Sequence, residues 1–246
     1  MLSIISLEKS IYKVNQSFVI FAFMAIENLP IERHPLQPFL PKGARILMLG
    51  SFPPKKERWS MEFFYPNWIN DMWRIMGLIF FEDKDHFVAV GEDGRKEKRF
   101  DKDLCAAFAA EKGIAMYDTA CEVRRLKDNA SDKFLEIVTP TDLHALLENI
   151  PDCQAIVTTG QKATDVIIGT FGCTEPSVGE CTECTFPVKV LAVPTKNGVP
   201  SAESDEKCTR SVRFWRMPSS SRAYPLALEK KAEYYRRMFM EEIKHI

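Results

Sequence analysis

Three segments of this 246-residue chain gather side chains with chemical capability: Gly50 to Pro54 (GSFPP), Phe63 to Trp73 (FFYPNWINDMW) and Met217 to Pro225 (MPSSSRAYP). Aromatic side chains like those of the second segment offer a flat ring a stacking surface, worth ~1–3 kcal/mol per nucleobase, or simply fill a core. The uncharged amides of Asn67 and Asn70 can position water and hydrogen-bond a ring edge without adding charge near a departing anion. Asn70 equally suits the cap of a helix running through Trp73. Asp71 and Asp118 are the rival carboxylates, and either would make a hydrolysis general-base assisted; Asp118 can also be purely structural. In the third segment, Ser219, Ser220 and Ser221 present hydroxyls and backbone N–H groups that can hold phosphates. Arg222 can contact a phosphate or push into a gap between stacked bases. The plainer alternative for that segment is an ordinary Ser-rich turn.

Such segments need elements that bring them together. Arg45 to Leu49 (RILML) reads as a buried parallel strand stopped by Gly50. Paired prolines make the following SFPPKKERW a loop. From Trp68 to Phe80, apolar residues at Ile69, Met72, Trp73, Met76 and Ile79 have the three-and-four spacing of a helix with one buried face. Ile114 to Tyr117 reads as a second strand ending at Asp118, and Ala155 to Val157 as a third, which turns through Gly160 into another helix. Val188 to Val193 and Ser211 to Arg216 are later strand candidates. Thr141 to Asn149 reads as a helix capped by Thr139 or Thr141. A closing helix, Leu226 to Ile243, follows Pro225. The proline-rich residues 29–43 read as an extended lead-in, and the charged residues 81–100 as a surface excursion. This alternation predicts an α/β fold, a three-layer α/β/α sandwich with a central, mostly parallel sheet. One domain is expected over residues 28–246, preceded by an N-terminal extension, 1–27. In such sheets ligand sites collect beyond the carboxyl ends of the strands, which singles out the loops 51–70 and 217–225.

The ordered set resembles the uracil-DNA glycosylase superfamily, in particular its mismatch-specific and hypoxanthine-specific branches, over residues 28–240. Those families place a Gly-x-x-Pro loop after the first strand, then an aromatic–Pro–Asn–aromatic/Trp segment, then a late Pro-Ser-x-Ser loop. The resemblance implies hydrolysis of the glycosidic bond of a deaminated base (uracil or hypoxanthine) flipped out of DNA. It implies substrate contacts from Gly50, Ser51, Phe52 and Pro53, stacking on Phe64 and Tyr65, and a DNA grip from Pro218, Ser219, Ser220, Ser221 and Arg222. Asp118, by its place at a strand end, is a further substrate-binding candidate or a helix-capping or structural carboxylate. One departure matters. Phe52 stands where the mismatch-specific branch carries an Asn, so that group is missing here. In the hypoxanthine-like branch the working Asn lies in the second segment, which is two residues longer in this chain. Asn70 matches when counted from Trp73, and Asn67 when counted from the Pro side; Asn70 is the first choice, Asn67 the reserve, and Asp71 a rival. No lysine stands out in the motifs, which favours attack by water over a Schiff base, with no metal and no cofactor. The partner implied is DNA with a damaged or mismatched base. Two other classes compete: a lesion-binding protein that kept the fold and lost catalysis, as Phe52 suggests, and an unrelated α/β protein.

Bulk properties narrow the field. A net charge of −1, from 33 Lys+Arg and 34 Asp+Glu, disfavours a nonspecific DNA coater but permits a local basic face. Arg213, Arg216, Lys230, Lys231, Arg236 and Arg237 concentrate around the third segment, the last four reading as a solvated helix face. Arg124, Arg125, Asn129 and Ser131 form a polar stretch that could reach DNA. His34, His86, His144 and His245 lie outside the motifs and receive no role. Seven scattered cysteines argue for reduced thiols in a cytoplasm. Among Cys173, Cys181, Cys184 and Cys208 only one pair has CxxC spacing, which reads as thiols rather than a metal site. The apolar run Phe18 to Ile26 is too short to span a bilayer. It reads as a weak signal peptide, an artefact ahead of a true start at Met24, an extra helix or a tail. No membrane partner is expected, and the protein is expected to be monomeric.

Overall fold

The computed structural model describes residues 29–127, 132–187 and 209–243. The continuous apolar runs became the strands of one sheet. Strands β2 (Ile46–Gly50), β5 (Ile114–Asp118), β8 (Ala155–Thr158), β9 (Glu180–Pro187) and β10 (Thr209–Arg216) form a five-stranded sheet of order β5-β2-β8-β10-β9. All neighbours are parallel except β9 and β10. Strands buried on both faces cannot alternate with polar residues, and Ile46 to Leu49, Ile114 to Met116 and Ala155 to Val157 are all buried. The parallel register sets the strand ends level: Gly50 pairs with Asp118, Leu49 with Thr158, and Thr158 with Arg216. Every loop leaving that end therefore enters the same space.

Helix α1 (Met72–Phe80) packs on the closing helix α5 (Leu228–Ile243), while α4 (Gln161–Phe171) contacts β8 and β9. Helix α2 (Lys102–Glu111) contacts β5, and its N-cap Asp101 accepts from the N–H groups of Asp103 and Leu104 at 3.0 Å each. Helix α3 spans Leu143–Glu148. Two smaller sheets flank these elements. Strands β1 (Ile31–Arg33), β6 (Ala120–Arg125) and β7 (Leu135–Pro140) make an antiparallel sheet of order β1-β6-β7, and β3 (Val88–Val90) pairs with β4 (Lys96–Phe100).

Several expectations need correction. Residues 68–71 are not helical; α1 begins at Met72, because Asn67 and Asn70 turn their side-chain oxygens onto nearby backbone N–H groups instead. Asp142, not Thr139 or Thr141, caps α3, accepting from Ala145 N–H at 3.0 Å. Thr141 instead donates to the Asp118 carbonyl at 2.7 Å. The polar stretch after Asp118 is mostly strand β6, whose ladder to β1 and β7 supplies what its side chains do not. The charged excursion contains the β3–β4 hairpin. The strand expected at Val188 to Val193, the apolar run Phe18 to Ile26, and Asn129, Ser131, Cys208 and His245 lie outside the described residues.

Candidate active site

Beyond the level strand ends lies a cleft of about 960 Å³. Its walls include Gly50 to Pro54 after β2, Phe64 to Asn67, Ile69 and Asn70 before α1, Asp118 at the end of β5, Thr159 to Lys162 after β8, and Ser219 to Pro225 after β10. All three segments singled out in the sequence thus meet in one space.

The second segment is held by its own side chains. Trp73 is buried and donates from its indole to the Phe64 carbonyl at 3.0 Å. The Arg74 guanidinium lies 4.2 Å from the Trp68 ring centre and donates to the carbonyls of Trp68 and Asn70 at 2.8 and 3.1 Å. Phe64 is almost fully buried, packed edge-to-face with Phe63 and Tyr117, so it is a core aromatic that also lines the cleft. Tyr65 is half-buried and takes a left-handed backbone conformation (φ 52°), a strain of ~1–3 kcal/mol that surrounding contacts must hold. One such contact is its hydroxyl, 3.1 Å from Thr159 Oγ1, which itself donates to the Leu49 carbonyl. Burial pushes the Tyr65 phenol well above its ordinary pKa, so it stays protonated.

Asn70 stands at the threshold of α1. Its Oδ1 accepts from Met72 N–H at 2.9 Å, and its backbone bridges to Ser221. Asn67 makes a similar turn, Oδ1 accepting from Ile69 N–H at 3.1 Å. Both line the cleft. An amide oxygen has two lone pairs and the amide nitrogen two protons, so capping leaves Asn70 capacity for a water or a base edge.

Asp71 is placed differently. It is buried outside the cleft lining, with Oδ1 3.0 Å from Arg222 Nε and Oδ2 3.0 Å from Lys231 Nζ. Lys231, read from sequence as part of a solvated face, is fully buried, and it also donates to the Ser221 carbonyl at 2.8 Å. Asp71 N–H donates to the Ser220 carbonyl at 2.9 Å. The carboxylate thus fastens the third segment onto the start of α1, with both oxygens engaged by cations rather than turned to the cleft.

Within the third segment, Pro218 is buried away from the cleft and its carbonyl accepts from Tyr235 O–H at 2.9 Å. Ser219 Oγ accepts from Ser221 N–H and Ser221 Oγ from Ala223 N–H, both at 3.2 Å. A hydroxyl that accepts in this way keeps its own proton to donate, so both can still give a hydrogen bond. Arg222 is half-exposed and tied by Nε, which suits a phosphate contact better than a wedge.

Most of the basic concentration is spent internally. Arg213 pairs with Glu242, Arg216 with Glu175 and Gln161, Lys230 with Glu233, and Arg237 with Glu180, while Arg236 donates to the Leu78 carbonyl. Arg124 pairs with Glu136, and Arg125 holds Glu32 at 2.9–3.0 Å and the Pro53 carbonyl at 3.2 Å, bracing the first loop. Among the described residues, the exposed cations lining the cleft are Arg58, Lys133 and Arg222, the last tied to Asp71.

Sequence reasoning missed His34. Its side chain is 2% exposed, with Nε2 2.9 Å from Asp118 Oδ2 and Nδ1 between the N–H (3.2 Å) and carbonyl (2.8 Å) of Leu36. The rings of Phe52 and Tyr117 flank it at 5.4 and 4.7 Å. Nothing in the local sequence could have paired residues 84 positions apart. Phe52 itself packs with Ala120, Val123 and Leu135. Gly50 has a firm reason: a Cβ there would lie 2.3 Å from Asp118 Oδ1.

Among the described residues, no group of three or more His, Cys, Asp or Glu is placed to hold a metal ion. Burial and the neighbouring Cys173 push the Cys184 thiol up to about 12. No described helix is long and apolar enough to cross a membrane.

No family model and no curated protein matches this chain. A solved structure does: the solution structure of a proposed uracil DNA glycosylase from Methanosarcina acetivorans. The likeness is one of fold. It has a TM-score of 0.51 at 17% identity and covers 87% of this chain and 99% of the other.

Proposed function

We propose that this protein is a monofunctional DNA glycosylase that hydrolyses the N-glycosidic bond of a deaminated base in DNA. The observation that carries the reading is the convergence of all three motif segments on one cleft at the carboxyl ends of a mostly parallel sheet. The fold shared with the Methanosarcina protein supports it, and the reading includes a three-layer α/β/α arrangement. In this reading the flipped base lies against Phe64 and Tyr65, and Asn70 orients the attacking water. The water oxygen bonds to the sugar C1′ as the C1′–N bond breaks with its electrons leaving on the base. The proton shed by the water passes through solvent to the base, and an abasic site remains. Ser219, Ser221 and Arg222 hold the flanking phosphates, with Arg58 and Lys133 on the rim. The enzyme works as a cytoplasmic monomer, with water as its only co-substrate.

The test is base release from oligonucleotides carrying uracil, hypoxanthine, xanthine or mismatched thymine, single- and double-stranded. Release from at least one is expected, with Asn70→Ala slowing it about 100-fold or more. Undiminished release by Asn70→Ala moves the water to another residue. A second reading, a lesion-binding protein without catalysis, is favoured by one feature: Phe52, buried among apolar side chains, leaves no amide in the first loop. Mismatch binding with no release from any substrate would establish it.

A further inference from the structure

The second segment is two residues longer than its counterpart in the family it resembles, and the extra length builds a turn at the cleft. Asn67 to Asn70 form that turn, closed by Asn70 N–H donating to the Asn67 carbonyl at 2.8 Å. Both ends are pinned: the Asn67 backbone bridges to Trp59, and that of Asn70 to Ser221 in the third segment. Within the turn, Ile69 N–H donates to Asn67 Oδ1 at 3.1 Å. The two central residues have opposite fates. The Trp68 ring packs on the Arg74 guanidinium, at 4.2 Å, and on the Phe100 ring, at 5.0 Å. Ile69 is 50% exposed and lines the cleft, although the periodicity of the sequence had placed it on a buried helix face. A lone exposed apolar side chain on a protein surface is ordinary. This one tips a braced turn, a place that favours small polar residues, in a cleft that Arg58 and Arg222 also line. It gains no full burial there, and such local inconsistency marks functional positions.

We propose that Ile69 is the wedge that holds open the stack of duplex DNA from which the nucleotide has been flipped. The proposal rests on the reading of the cleft as the seat of a flipped nucleotide. Flipping costs unstacking and unpairing energy and leaves a gap into which the neighbouring bases relax. An apolar side chain inserted at that step replaces part of the lost contact, the use that duplex-distorting proteins make of Phe, Leu, Ile, Met and Pro. Such a wedge must be apolar, unoccupied before DNA arrives, and mounted on backbone that does not retreat. Ile69 meets all three conditions. Arg222, the wedge candidate by residue type, fails the second, because Asp71 holds its Nε at 3.0 Å. The next residue is Asn70, which orients the water in this reading. One rigid turn therefore carries both the side chain that fills the gap and the amide that serves the glycosidic bond. A single strand has no opposing strand to close the gap, so the wedge acts on duplex.

The test compares duplex with single strand. In Ile69→Ser, the ratio of kcat/KM for base release from duplex to that from single strand should fall about 10-fold or more. Ile69→Leu, equally apolar, should restore most of the ratio. Thermal unfolding of both variants should match wild type, since the side chain is half-exposed. A second measurement needs no cleavage: affinity for a duplex carrying a tetrahydrofuran abasic analogue, whose gap is ready-made, against affinity for the intact duplex. Wild type should prefer the gapped duplex, and Ile69→Ser should lose most of that preference. An unchanged release ratio in Ile69→Ser overturns the wedge and leaves the glycosylase reading standing. So does a wild type that releases base from single strands alone. A wild type that releases nothing, yet prefers the gapped duplex through Ile69, sinks the glycosylase reading and upholds the wedge. A preference absent from wild type, or unchanged in Ile69→Ser, overturns the wedge whatever is released.

Discussion

Asp71 and Asp118 are both buried carboxylates paired to nitrogen bases at about the same distance, yet they stand in opposite relations to the cleft. Asp71 has both oxygens engaged, by Arg222 and Lys231, and lies outside the cleft lining. Asp118 has one oxygen engaged, by His34, and the other close against Gly50 with no hydrogen-bond partner among the described residues. The difference is one of saturation. A carboxylate with both oxygens held by cations, outside the cleft, serves to fasten a loop. A carboxylate held on one side only is oriented without being consumed. Burial stabilises the first arrangement, and in the second it strengthens any hydrogen bond the remaining oxygen accepts.

The largest expected effect breaks the saturated pair. Lys231→Met should lower the unfolding free energy by about 3–5 kcal/mol, since it leaves the Asp71 charge short of its buried partner. Urea unfolding measures it, and Asp71→Asn in the same chain should recover much of the loss. A change below 1 kcal/mol would mean the pair is solvated after all. Next is Gly50→Ala, whose Cβ would meet Asp118 Oδ1 at 2.3 Å. It should cost about 1–3 kcal/mol in stability and displace the free oxygen, so base release should fall even at temperatures where the variant is fully folded. Arg222→Ala should cost less than about 1 kcal/mol, its ion pair being half-exposed. It should nonetheless reduce the slope of log affinity for DNA against log salt by about one; an unchanged slope removes Arg222 from the phosphate contacts.

The smallest effect concerns a third buried carboxylate, far from the cleft. Glu242 accepts from Arg213 at 2.6 Å and from the Trp215 indole at 2.5 Å, yet burial outweighs both and raises its pKa. An acid whose pKa is higher folded than unfolded binds more protons in the folded state. Its contribution is therefore full below the unfolded value, about 4.3, and is lost as pH rises through the raised folded value. Unfolding measured from acidic to neutral pH should show Glu242→Gln flattening that fall. A fall unchanged in Glu242→Gln would assign the slope to other carboxylates.

The parallel strands were the most legible part of the molecule. The apolar runs read at 45–49, 114–117 and 155–157 correspond to strands that each continue one residue further, to Gly50, Asp118 and Thr158, because strands buried on both faces show as short continuous apolar runs. Strand β6 was illegible for the converse reason: its burial is uneven, and its stability comes from ladder bonds to β1 and β7. The three motif segments could be found by residue type, but the roles inside them could not. Asn70 and Asp71 are neighbours with interchangeable chemistry in the sequence, and only the backbone turn before α1 sends one to the cleft and the other beneath it.

By itself, the sequence determined which segments carry polar and aromatic capability and which runs must be buried, since both follow from residue type and short-range periodicity. The tertiary structure alone decided which groups are saturated. Lys231 becomes a buried anchor 160 positions from Asp71, and His34 reaches Asp118 across 84. Hydrogen-bond partners at such separations are set by the strand register that levels Gly50, Asp118, Thr158 and Arg216 at one end of the sheet, and register is a property of the whole fold rather than of any local stretch of chain.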